Sequence, residues 1–148
     1  MKKIIATLLA FACFCSFSVP VFANPSDSKQ SAITYSEKVT DEITCVTTIS
    51  WSSNQLRTSG RNGSISREYY YSGKCVASVV LNADFTYDGT TATATSASGS
   101  HSVASGWSYS GQSTWCSGAT AYLTATISGP VSIPVSLSLT CSPGGALS

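Results

Sequence analysis

The sequence predicts an all-β fold, an antiparallel β-sandwich of eight or nine short strands, disulfide-bonded and placed behind a cleavable leader. Three observations carry that expectation. Apolar residues alternate with polar ones at the two-residue period of a half-buried strand. Turn dipeptides such as Asn62-Gly63, Asp88-Gly89 and Gly129-Pro130 punctuate the chain at short intervals. Beyond residue 30 no stretch has the 3.6-residue period of an amphipathic helix.

The chain has 148 residues, the size of one domain. Lys2 and Lys3 precede an apolar run from Ile4 to Val19, and Val21-Phe22-Ala23 fits a small-x-small cleavage rule. Residues 1–23 therefore read as a signal peptide, 24–30 as a flexible polar leader, and 31–148 as a single β-sandwich domain. The apolar run is interrupted by Ser16, Ser18 and Pro20, too short for a membrane span of about 20 apolar residues. The expected location is secreted, or periplasmic where the source has an outer membrane, with no membrane span after signal cleavage.

The strands follow from the alternation. Ile43, Cys45, Ile49 and Trp51 share one face, and so do Cys75, Ala77, Val79, Leu81, Ala83, Phe85 and Tyr87. Val103, Trp107 and Tyr109 form a third row, and Ala119 to Ile127 a fourth. Val131, Ile133, Val135, Leu137, Leu139 and Cys141 point inward from the last strand, where Pro134 demands an edge or a bulge. A two-residue hairpin at Asp88-Gly89 sets Phe85 opposite Ala92 and Ala83 opposite Ala94. A three-residue loop around Ser128-Gly129-Pro130 sets Ile127 opposite Val131 and Leu123 opposite Val135. A two-residue hairpin at Asn62-Gly63 sets Arg57 opposite Glu68 and Leu56 opposite Tyr69.

Removal of Cys13 and Cys15 with the leader leaves Cys45, Cys75, Cys116 and Cys141, an even set that an exported domain is expected to oxidise. Three pairings are open, with a weak preference for Cys45–Cys141 and Cys75–Cys116. The likeness to an immunoglobulin domain is architectural only, because the Cys-Trp-Cys spacing and the tyrosine corner are not convincingly present.

The search for chemistry yields no catalytic residues, no cofactor and no metal site. Serines are too common for a pairing with His101 and Asp84 or Asp88 to carry information, and no G-x-S-x-G turn occurs. The carboxylates cannot be matched across a cleft from sequence, and no C-x-x-C pair accompanies the one histidine.

Charge is unevenly spread. Only 10% of residues are charged and none lies beyond Asp88, so the second half relies on Ser and Thr for hydration. Arg57, Arg61, Arg67 and Lys74 face only Glu68 between residues 54 and 74, interleaved with Tyr69, Tyr70 and Tyr71. Arg57, Arg61, Arg67, Tyr69, Tyr71 and Lys74 are thus the sequence candidates for binding an anionic glycan, a wall polymer or an acidic protein. Nucleic acid is not expected as a partner of so weakly charged a domain. The Trp107, Tyr109, Trp115 and Tyr122 group offers glycan stacking instead, although Trp107 and Tyr109 fall on an apolar face. The function expected is non-enzymatic binding. A hydrolase with a site invisible in sequence and a pilin-like assembly subunit are the alternatives.

Overall fold

The computed structural model describes residues 30–52 and 60–148. Eight strands run in chain order: β1 (Gln30–Lys38), β2 (Ile43–Ser52), β3 (Gly60–Tyr71), β4 (Lys74–Tyr87), β5 (Ala92–Val103), β6 (Ser108–Ser117), β7 (Thr120–Ser128) and β8 (Ser132–Thr140). They form a five-stranded sheet β1-β2-β3-β4-β5 and a three-stranded sheet β6-β7-β8, each a meander of antiparallel neighbours. Among the described residues no helix is long and apolar enough to cross a membrane.

The period-two alternation works as the sequence suggests. Ile43, Cys45 and Ile49 on β2, Val79 to Phe85 on β4, Ala121 to Ile127 on β7 and Ile133 to Leu139 on β8 interdigitate as one core. Trp51, Tyr71, Trp107 and Tyr109 pack around its margin. Val103 departs from the third predicted row and is exposed.

Turn chemistry corrects the sequence at four places. Asn62-Gly63 is not a hairpin: both residues lie inside β3, with Asn62 opposite Asp84 and Gly63 between Trp51 and Ala83. The inward row of Ile65, Tyr69 and Tyr71 extends through Gly63, and Leu139 and Leu147 fill the space in front of that glycine. The reversal comes instead at Ser72-Gly73, whose φ values of 47° and 78° suit a primed two-residue turn joining Tyr71 to Lys74. Glu68 consequently pairs with Val46 and Ser78 rather than with Arg57.

The Asp88 loop is longer than two residues, since Tyr87 pairs with Ala92. The Asp88 carboxylate accepts the Thr90 and Thr91 amides at 2.8 and 2.6 Å, an Asx turn that takes the place of the expected type I′ hairpin. A bulge at Asp84/Phe85 then brings Phe85 opposite Ala94 and Ala83 opposite Ala97, so a large residue still meets a small one. The β7–β8 loop has the expected three residues but begins one residue later, between Ser128 and Ser132, which pairs Ile127 with Ile133 and Leu123 with Leu137. Finally, a bulge at Tyr69/Tyr70 flips the parity at the start of β4: Val76 is buried and Cys75 faces out.

No disulfide is formed among the described residues, and strand register separates the preferred pairs. Cys45 lies beside Tyr69, whereas Cys141 lies just beyond Leu139, which packs at Gly63. Gly63 and Tyr69 are roughly 20 Å apart along β3 at the strand rise, against a Cα separation of about 4.4 to 6.8 Å in a disulfide. Cys75 sits near the Val103 end of β5 and Cys116 near the Ala94 end, where the Ala94 amide donates to Gly118. They are separated by nearly the length of that strand.

The sheet edges are treated differently. Edges β5 and β6 meet: His101 stacks on Tyr109, and the β6 bulge turns Gln112 so that its amide donates to the Gly99 carbonyl. The β8 edge is blunted. Thr140 exchanges both backbone hydrogen bonds with Ser148 as the C-terminal segment folds back, which fixes the even-numbered residues of β8 as those whose backbone groups point outward. Ser136 offers its carbonyl to Arg67, and Pro134 has no N–H to offer.

Candidate binding faces

The sequence candidates do not converge on one surface. Arg57 lies outside the described residues. Arg61 stands over the Tyr87 ring, 5.9 Å from its centroid. Arg67 points between the sheets: its Nε donates to Thr47 Oγ1 at 3.0 Å, its Nη1 to the Ser136 carbonyl at 3.4 Å, and Glu37 lies 3.9 Å from Nη2. Tyr69 is a core residue, 2% exposed, and cannot touch a partner. Tyr71 meets Trp107 edge to face at 5.6 Å. Lys74 is exposed beside the β3–β4 turn. The alternation of β3 explains the dispersal, because Arg67, Tyr69 and Tyr71 take the inner side while Glu68 and Tyr70 take the outer, joined by a 2.8 Å bond from the Tyr70 hydroxyl.

Burial sets the ionisation of this inner group. Desolvation pushes the Tyr69 phenol up to about 12, and its hydroxyl has no hydrogen-bond partner of good geometry. Burial also raises the Cys45 and Cys141 thiols. For Arg67 burial pulls downward, but Tyr69 and Glu37 outweigh it and hold the guanidinium charged.

The outer face of the five-stranded sheet is the more coherent surface. Register lines up Ala32, Ser50, Ser64, Asn82 and Ser98 across all five strands, with Thr34, Thr48, Ser66, Val80 and Ser100 in the adjoining row. A depression of about 270 Å³ opens on this face between Ser50, Asn62, Ser64, Asn82, Asp84 and Ser98, with Trp51 contributing to its wall. Asp84 is the formal charge of that lining. Asn62 Nδ2 donates to its Oδ1 at 2.7 Å and the Ser96 hydroxyl to its Oδ2 at 2.5 Å. Ser50 and Ser64 share a 2.8 Å hydroxyl bond beside them. The sequence does not mark this site, since each member is an ordinary polar residue on the solvent side of its strand. The available signal was the matching Ser/Asn parity of neighbouring strands.

On the opposite sheet, Trp115 and Tyr122 are cross-strand partners whose rings stack at 5.1 Å and 12°. Each thereby spends one ring face on the other. Trp107 and Tyr109 belong to the core margin, as their apolar row suggests. Among the described residues no hydrogen bond or ion pair joins His101 to a carboxylate, and no cluster of three His, Cys, Asp or Glu side chains could hold a metal. No protein-family model, curated protein or solved structure matches this chain.

Proposed function

We propose that this is a secreted, non-enzymatic binding protein that takes a neutral glycan on the outer face of its five-stranded sheet. The observation that carries the reading is the Asp84 carboxylate, held by Asn62 and Ser96 in a depression lined mainly by serine hydroxyls and asparagine amides, with Trp51 in its wall. Sugar hydroxyls both donate and accept, so serine hydroxyls and asparagine amides suit them, and a fixed carboxylate takes two sugar O–H groups in charge-assisted bonds. The one formal charge is negative, which favours a neutral polymer over the anionic ligand that the cationic ribbon invites. Export is supported by the n-h-c pattern of residues 1–23, and the expectation of disulfides rests on that compartment alone.

A glycan array probed with the chain from residue 24 onward tests the proposal. Binding to a restricted set of neutral glycans is expected, unchanged by added salt and abolished by Asn82→Ala with Asp84→Ala in a variant that keeps its β-sheet spectrum. Retained binding in that variant, or binding confined to anionic glycans and lost in salt, overturns it.

A further inference from the structure

The edge of β1 is built for pairing where the other edges are closed. Its backbone phase follows from two hydrogen bonds: Ser72 N–H donates to the Glu42 carbonyl, so the even residues of β2 bond β3 and its odd residues bond β1, and Val39 N–H accordingly donates to Ile43. The odd residues of β1 thus face β2, and Ala32, Thr34, Ser36 and Lys38 turn their N–H and C=O groups outward. Among the described residues nothing pairs with that edge. It carries no proline and no bulge. Ile33 and Tyr35, on its inner side, are 53% and 44% exposed, because the three-stranded sheet does not reach beneath β1.

We propose that the protein forms a two-fold dimer in which β1 pairs antiparallel with β1 of a second copy, in the register that places Thr34 opposite its own mate. The β1 sequence is self-complementary in this register. Ala32 faces Ser36 of the partner subunit, Ile33 faces the partner's Tyr35, Glu37 faces the partner's Ser31 and Lys38 faces the partner's Gln30. Both copies of each charge are kept at opposite ends of the ribbon, with no like charges opposed. The outward even residues meet outward even residues, which a register centred between two residues cannot achieve. A register centred on Tyr35 would set Ile33 opposite the partner's Glu37 instead of the partner's Tyr35. The Ile33–Tyr35 contact forms twice on the inner side and covers the apolar residues that β1 leaves open. Because the β8 edge is blunted by Pro134, Arg67 and the C-terminal segment, the isologous contact closes on itself and gives a dimer, not a filament. The inference is independent of any ligand.

Sedimentation velocity on the chain from residue 24 onward, over a concentration series, tests it. One ribbon is a small interface, so the expected signature is a monomer that converts to dimer as concentration rises. Tyr35→Lys, which sets a cation against each Ile33, should remain monomeric throughout the series. Ile33→Glu combined with Tyr35→Lys should restore the dimer, because those positions oppose each other only in the Thr34-centred register. Ser36→Pro removes an outward N–H without touching the β1–β2 ladder and should also be monomeric. A wild-type chain that is monomeric at every concentration, or a dimer indifferent to Tyr35→Lys and Ser36→Pro, overturns the proposal.

Discussion

Arg67 and Thr47 face each other across β2 and β3 inside the sandwich, with the guanidinium Nε donating to Thr47 Oγ1 at 3.0 Å. Thr47 is completely buried, and among the described residues it is the buried polar side chain of the core. The pair ties a cation that the sequence offers as a ligand contact to the architecture instead. Arg67 also reaches the Ser136 carbonyl and so links the two sheets at the β8 edge.

Replacing Arg67 with alanine is therefore expected to destabilise the domain by about 2 to 3 kcal/mol, through a stranded Thr47 hydroxyl and lost packing of the arginine stem. Arg61→Ala and Lys74→Ala should each change stability by less than about 1 kcal/mol. Urea unfolding of the three variants checks this ranking. Equal effects at all three positions would mean that Arg67 is as dispensable as an exposed charge.

Tyr69 makes an opposite prediction. Its hydroxyl is buried beside Arg67 with no hydrogen bond of good geometry, so Tyr69→Phe should change stability by no more than about 1 kcal/mol. Its folded pKa, about 12, lies above the unfolded value near 10. The neutral phenol's contribution is thus complete below about pH 10 and is lost as pH rises toward 12. Unfolding free energies measured across that window should fall in the wild type and fall less in Tyr69→Phe.

Much of the fold is legible in the sequence because one strong signal, period-two alternation, governs β2, β4, β7 and β8. The errors arise where a local turn signal competes with it. Asn62-Gly63 is a hairpin dipeptide, yet the inward row of β3 runs through it and the Ser72-Gly73 pair makes the turn. Bulges are likewise silent in the sequence: those at Val76 and Thr95 turn Cys75 outward and shift β5 by one residue. The candidate site was less legible than the core. Asp84, Asn62 and Ser96 become neighbours only through the β3–β4–β5 register, and β1 holds too few apolar residues for alternation to mark its open edge.

Gly129 shows how a loop glycine can be a packing requirement. The Trp107 ring lies against it, and an added Cβ would come within 2.6 Å of ring carbons. Gly129→Ala should lower stability by about 1 to 3 kcal/mol and shift the tryptophan emission as Trp107 moves off Tyr71. An unshifted spectrum with full stability would show that the loop yields without cost.

Thiol reactivity follows from burial. Cys116 is exposed, while Cys45 and Cys141 are buried with raised pKa values. Alkylation of the native chain without reductant should modify Cys116 and spare Cys45 and Cys141 until the domain is unfolded. Protection of Cys45 and Cys141 that persists through unfolding, and yields only to reductant, would reveal a disulfide that this strand register does not accommodate.

The most direct test of the binding account is a chemical-shift map of the amide spectrum during titration with the strongest neutral glycan from an array. Perturbations are expected at Asn62, Ser64, Asn82, Asp84, Ser96 and Ser98, on the outer face of the five-stranded sheet. Perturbations grouped around Trp115 and Tyr122, or around Arg61 and Lys74, would contradict it.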